Sequence, residues 1–117
     1  MALDFNVNLA PQVAMQMIDN GIVNGSLSGE RIDYYEVHNT AGYLCITAVY
    51  EKYYYRAGNR LTLTVIIDNM RGTTHVHAIG GGGGNGAFFK FDWGASEAFT
   101  NSPWDILRSY AILSIVQ

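Results

Sequence analysis

Apolar and polar residues alternate over several stretches of this chain, with the two-residue period of half-buried β-strands. Leu3, Phe5 and Val7 mark the first such stretch. The clearest covers residues 60–68, where every odd position is aliphatic. Three further strands are predicted at 32–37, 43–54 and 74–79, which are rich in aromatic and β-branched residues. Because short turns join the last four strands, we predict an antiparallel meander.

Two helical patterns flank the predicted meander. Pro11 suits a first helical turn, and apolar residues between Val13 and Ile18 share one helical face that ends before Asn20-Gly21. Near the other end of the chain, an apolar stripe with helical period runs from Ala95 to Leu113. The sequence therefore predicts a short first helix and a long carboxy-terminal one.

Pro103 interrupts the second helical stripe. Proline removes a helical hydrogen bond and clashes with the preceding turn. The pattern thus predicts either one helix kinked at Pro103, which the continuous stripe favours, or two helices with Ser102 as the second cap.

The predicted order of elements is that of an α+β fold: strand, helix, four-stranded antiparallel meander, long carboxy-terminal helix. A length of 117 residues fits one domain, which we assign to residues 1–117. The apolar face of the meander must be buried, and the long helix is large enough to cover it. This order is similar to the helix-grip, or TATA-binding-protein-like, arrangement.

A glycine-rich run follows the last predicted strand, and glycine at this density has a large entropic cost on ordering. Its seven residues are Gly80, Gly81, Gly82, Gly83, Gly84, Asn85 and Gly86. A dinucleotide fingerprint is excluded, because Ala87-Phe88-Phe89 does not begin a helix and the strands form no βαβ unit. Two alternatives remain for the run: a ligand-binding segment whose backbone forms a nest for an anion, or a mobile hinge.

Two histidines suggest a metal pair, because His75 and His77 point to the same face of a strand. A third ligand would have to come from His38, Asp68 or Glu51, none of which has a diagnostic spacing. Surface histidines are the simpler interpretation, so we predict no metal site and no cofactor.

The sequence indicates no catalytic residues. Cys45 lies between apolar neighbours in a predicted strand and is best interpreted as a structural thiol. No Gly-x-Ser-x-Gly motif is present, and the ten acidic residues form no recognisable pair. A mixture of cations and aromatic rings about one hairpin is typical of platforms for single-stranded nucleic acid. It consists of Lys52, Tyr53, Tyr54, Tyr55, Arg56 and Arg60. Cross-strand aromatic packing is the better interpretation, because the overall charge is acidic.

Composition and net charge limit the kinds of binding partner to be expected. The net charge of −3 argues against nucleic acid and anionic membranes, and no apolar run reaches the length of a membrane span. The amino terminus has no secretory signal, so we expect a cytoplasmic location. A charged fraction of only 15% together with eight tyrosines suggests a homo-oligomer or a cavity for a small apolar or amphipathic ligand.

Several segments together resemble a known family. They are Glu51 to Tyr54, Leu63 to Asn69, the glycine run, and Phe89-Lys90-Phe91-Asp92-Trp93-Gly94-Ala95. This combination resembles a family of short bacterial proteins known only as a domain of unknown function. The resemblance implies a bacterial domain without an established activity.

Three hypotheses follow for the function. The first is a non-enzymatic domain that binds a small ligand or a protein between the sheet and the long helix. The second is a homodimeric structural or interaction module with a tyrosine-rich interface. The third is an enzyme that holds an anionic substrate at the glycine run.

Overall fold

The computed structural model describes residues 2–25, 29–54, 59–82, 94 and 97–113 of the chain. These residues form an antiparallel sheet whose strands lie in the order β2-β3-β4-β5-β1-β6. The strands are β1 (Ala2–Val7), β2 (Glu30–His38), β3 (Leu44–Tyr54), β4 (Asn59–Asp68), β5 (Thr74–Gly82) and β6 (Ala111–Ile112). The helices are α1 (Pro11–Asp19), which continues as a π-helical turn at Asn20–Asn24, and α2 (Ser102–Leu107).

The α+β class and the four-stranded meander are confirmed, since β2 to β5 lie side by side in chain order. Alternation along β4 has the predicted consequence: its odd positions, such as Leu63 and Val65, are fully buried. What the pattern left open is the position of β1. It pairs antiparallel with β5, with Phe5 opposite Val76, and so joins the far side of the meander. The likeness to a helix-grip fold stays a prediction.

One face of the sheet carries the core, and α1 covers it. Ala14, Met15 and Ile18 of α1 are buried, as is Ile22 in the π-helical turn. The helix packs on β3 and β4 and also contacts α2. Gly21 permits the close approach of α2, because a Cβ atom there would lie 2.5 Å from Cδ1 of Ile106. The ring of Trp104 meets Phe5 edge-on at 5.1 Å, which fixes α2 over β1.

The prediction of one long carboxy-terminal helix is wrong, and the alternative of two helical segments with Pro103 at the start of the second agrees with the structure. Residues 97–100 are helical, but Asn101 is a turn and α2 has only six residues. Pro103 lies in the first turn of α2, where its missing N–H costs nothing. Asn101 occupies the cap position predicted for Ser102, whose hydroxyl instead donates to the Ala98 carbonyl oxygen at 3.3 Å.

The end of the described chain is extended and not helical. After a 3-10 turn at Arg108–Tyr110, residues 111 and 112 form β6 and pair with Val7 and Asn6 of β1. Pairing with a distant strand here overrides the local helical period. None of the helices within the described ranges is long and apolar enough to cross a bilayer.

Candidate functional site

The glycine run begins inside the sheet. The predicted strand ended at Ile79, but β5 extends to Gly82, and Gly80, Gly81 and Gly82 lie opposite Leu63, Thr62 and Leu61 of β4. The other residues of the predicted ligand-binding segment, Gly83, Gly84, Asn85 and Gly86, lie outside the described residues. The choice between a backbone nest and a hinge therefore stays a prediction for 83–86.

Gly82 has a specific steric reason to be glycine. Its φ angle is +84°, in the region that L-residues with a side chain rarely adopt. In addition, a Cβ atom at this position would lie 2.7 Å from the carbonyl oxygen of Arg60. The glycine at position 82 is thus explained by its backbone conformation and by the close approach of β4.

His75 and His77 lie on the face of the sheet opposite the helices, as the strand period predicted, and both bind the same carboxylate of β1. Nε2 of His75 lies 2.9 Å from Oδ1 of Asp4, and Nδ1 of His77 lies 2.7 Å from the same oxygen. Nδ1 of His75 lies 2.7 Å from Oδ1 of Asn6. The two strands are therefore joined by a polar cluster in addition to their backbone hydrogen bonds.

Asp4 is the centre of this cluster, and sequence analysis missed it. Hydrogen bonds from His75 and then His77 lower the pKa of Asp4, and burial opposes them only in part. The available signal was the alternation of Asp4 and Asn6 with the apolar residues of β1, which places both on the open face. The missing information was that β1 is the neighbour of β5.

The three residues considered as a third metal ligand lie away from the histidine pair or contact other groups. His38 contacts Glu36, and Glu51 binds Arg60 at 2.7 Å. Asp68 lies opposite His75 in the β4–β5 register, but the described hydrogen bonds of His75 go to β1. In the part of the chain that the structure describes, no three histidine, cysteine or acidic residues are grouped to hold a metal ion.

Cys45 is half-buried on the open face of β3. Burial, followed by the negative charge of Asp68, raises the pKa of its thiol. Both effects disfavour the thiolate, which is the nucleophilic form. This environment agrees with the interpretation of Cys45 as a structural thiol.

The cationic side chains Lys52 and Arg60 of the β3–β4 hairpin contact other residues of the same hairpin. Nζ of Lys52 lies 5.1 Å from the ring centre of Tyr54, and the Arg60 guanidinium lies 5.9 Å from that of Tyr53. These contacts, together with the pair of Arg60 and Glu51, fit the cross-strand packing interpretation better than a nucleic-acid platform. Tyr55 and Arg56 lie outside the described residues.

β2 is the edge strand of the sheet, with β3 on one side and no described strand on the other. It has nine residues, of which all but Glu36 are exposed. The exposed fraction is 50% for Ile32, 38% for Tyr34, 63% for Tyr35 and 48% for Val37. Such exposure of large apolar side chains on both faces of one strand is the property of an interaction surface.

A hydrogen-bonded strip lies on the helix-side face of β2, which α1 does not cover. Tyr34 donates its hydroxyl to Glu36, and Nε2 of His38 lies 2.7 Å from the other Glu36 oxygen. These two contacts lower the pKa of Glu36, while burial and then the Glu36 carboxylate raise the pKa of Tyr34 to about 12. The strip thus has a charged carboxylate and a neutral phenol at neutral pH.

Asp19, at the end of α1, connects this strip to the core. It accepts a hydrogen bond from the buried Tyr50 hydroxyl at 3.1 Å and one from Arg31 at 3.2 Å. The Arg31 guanidinium in turn lies 4.6 Å from the ring centre of Tyr34. These contacts connect β2 to α1 and β3, and no strand of the described residues pairs with the outer edge of β2.

Within the described part of the chain, buried side chains of α1, its π-helical turn and the sheet pack between helix and sheet. Ile18, Ile22, Ile46, Leu63 and Val65 are fully buried there. A cavity of about 320 Å³ lies elsewhere, at the end of the sheet where Val7 to Ala10 meets residues 72–74 and Ile112. A ligand between sheet and helix would therefore have to displace packed core.

A family model described as a family of unknown function (DUF6054) matches residues 1–111. The chain belongs to this family. The DUF6054 match extends from the first strand to the first residue of β6, so the polar cluster of Asp4 and the edge strand β2 both lie within it. No curated protein and no solved structure matches the chain. Membership of DUF6054 therefore confirms the prediction of a family of unknown function and brings no activity with it, while the bacterial origin stays a prediction.

Proposed function

We propose that this chain is a non-enzymatic interaction module that forms a homodimer through the outer edge of β2. The observation that carries the proposal is the exposure of four large apolar or aromatic residues along a nine-residue edge strand. An edge strand presents unpaired backbone N–H and C=O groups that can bind another strand. A second copy of the chain provides an identical strand for this purpose.

Comparison of the two edges of the sheet supports this choice. Edge strands are commonly protected by shortness, by charged side chains and above all lysine, by proline or by a β-bulge. At the other edge, β6 has only two residues and shields the end of β1. β2 has four charged residues and a register shift between Arg31 and Asp33, but it is nine residues long, contains neither lysine nor proline and pairs regularly over 33–38.

The packing of the described core supports protein binding over the binding of a small ligand between α1 and the sheet, because that ligand would have to separate buried side chains. A cytoplasmic location and a bacterial origin remain expectations from the sequence. They are compatible with a self-associating domain and are not required by it.

Sedimentation velocity at micromolar concentration tests the proposal. We expect the unmodified chain to sediment as a dimer and Tyr35→Lys to sediment as a monomer, because lysine on an edge strand opposes pairing. Tyr43→Lys is the matched control, since Tyr43 is also an exposed tyrosine (42%) but precedes β3. It should remain dimeric.

Two results would contradict the proposal. One is a strictly monomeric unmodified chain over the whole concentration range. The other is equal dimerisation of the Tyr35→Lys and Tyr43→Lys variants. Far-ultraviolet circular dichroism of both variants shows whether each retains its fold.

A further inference from the structure

We infer that two copies pair their β2 strands antiparallel in a register centred on Tyr35. This inference rests on the proposed function and goes beyond it by assigning which residues meet. A two-fold axis perpendicular to the sheet keeps each face of β2 on the same side in both copies. Side chains directly opposite each other must share a face, so the axis passes between one residue and the same residue of the partner.

An irregularity in β2 limits where that residue can be. The register between β2 and β3 shifts between Arg31 and Asp33, so Ile32 is an extra residue in the strand. A bulge of this kind disrupts regular pairing. The regular part of β2 is therefore 33–38, and Tyr35 is the centre of the five-residue segment 33–37 that can pair with itself without including the bulge.

Charges exclude the neighbouring registers. Centring on Asp33 or on Glu36 would place like charges directly opposite each other, which is destabilising. Centring on Tyr34 would bring Ile32 of the bulge opposite the partner's Glu36. Centring on Val37 would pair only three residues of β2 in each copy, 36–38.

The register centred on Tyr35 gives compatible neighbours on both faces. On the helix side, Tyr34 lies opposite the partner's Glu36, so the phenol and carboxylate of the two strips alternate across the interface. On the open face, Tyr35 meets its equivalent, and Asp33 lies opposite the partner's Val37. These are aromatic and mixed pairs, and no like charges lie directly opposite each other.

Disulfide formation between cysteines introduced into β2 tests this register directly. Residues opposite each other in an antiparallel pair have Cα atoms about 4.5–5.5 Å apart, within the range that a disulfide spans. The background should be Cys45→Ser, because Cys45 lies opposite Val37 within the same chain and would compete. In that background we expect mild oxidation to cross-link Tyr35→Cys to itself.

Variants at neighbouring positions provide the controls. Asp33→Cys and Val37→Cys should each give little dimer alone and a heterodimeric disulfide when mixed. In the Cys45→Ser chain without an added cysteine, Val37→Lys places an ammonium opposite the partner's Asp33. This ion pair should outweigh the general effect of lysine on an edge strand and tighten the dimer about threefold. Adding Asp33→Asn to Val37→Lys should remove that gain.

The outcomes separate this inference from the proposed function. If the chain dimerises and Tyr35→Lys abolishes the dimer, but cross-links form at another β2 position and not at Tyr35→Cys, the register is wrong and the edge-strand dimer stands. If Val37→Lys dissociates the dimer as Tyr35→Lys does, the assigned pairing with Asp33 is likewise wrong. If the unmodified chain is monomeric, both proposals fail.

Discussion

Nδ1 of His77 lies 2.7 Å from Oδ1 of Asp4, and the two residues are direct partners in the antiparallel pairing of β5 with β1. The same carboxylate oxygen also contacts His75, two residues earlier in β5. One carboxylate therefore binds a direct and a diagonal cross-strand neighbour, and both contacts favour its charged form.

Replacing the carboxylate of Asp4 should lower the stability of the fold at neutral pH. Because the cluster is partly exposed, we expect Asp4→Asn to reduce the free energy of unfolding by no more than about 1 kcal/mol. The pKa of Asp4 is lowered in the folded chain, so its contribution is complete above the unfolded-state pKa. It is lost as the pH falls through the lowered folded-state value.

Urea denaturation from neutral pH down to about pH 3 tests this dependence. The difference between the unmodified chain and Asp4→Asn should shrink toward acidic pH. Asp105→Asn is the control, since Asp105 is an exposed aspartate of α2 and lies neither in the polar cluster nor in β2. An acid dependence of Asp4→Asn identical to that of the unmodified chain would contradict the assigned role of Asp4.

The contrast between Asp4 and the meander shows what the sequence could predict. The strands β2 to β5 follow from local alternation and short turns, so each could be recognised from its own residues. The contact of Asp4 with His77 joins residues 73 positions apart. No local pattern indicates that β1 enters the sheet beside β5, so the histidines were identified without their acidic partner.

The carboxy-terminal segment shows the reverse case, in which a local pattern predicted too much. Residues 95–113 keep a helical apolar period, and the helical character of 97–100 and of α2 agrees with it. Ala111 nevertheless pairs with Val7. A strand of two residues is too short to have a period of its own, so only its neighbour in the fold defines it.

The buried hydroxyl of Tyr50 gives a second prediction. Tyr50 is fully buried and donates to Asp19, and burial, followed by the charge of Asp19, raises the pKa of its phenol. Tyr50→Phe should reduce the free energy of unfolding by about 1–2 kcal/mol, because the hydrogen bond to a charged acceptor is lost. Urea denaturation at neutral pH measures this change.

A double-mutant cycle isolates the contact between Tyr50 and Asp19. Tyr50→Phe should cost less in the Asp19→Ala background than in the unmodified chain, since the acceptor is already absent. Tyr54→Phe is the control, because Tyr54 is half-buried in the same strand and its described contact is with Lys52 through the ring. Additive effects of Tyr50→Phe and Asp19→Ala would show that the hydrogen bond does not stabilise the fold.

Gly82 gives a third prediction, in which backbone strain and steric clash can be separated. Gly82 and Gly42 have similar positive φ angles, +84° and +92°. A Cβ atom at Gly82 would meet the Arg60 carbonyl oxygen at 2.7 Å, whereas one at Gly42 would have nothing within 4 Å. Gly42→Ala should therefore lower the free energy of unfolding by about 1–2 kcal/mol through strain alone. Gly82→Ala should cost more in the same denaturation experiment, because the end of β5 must also move away from β4. Equal losses for the two variants would mean that the close approach to Arg60 does not constrain the start of the glycine run.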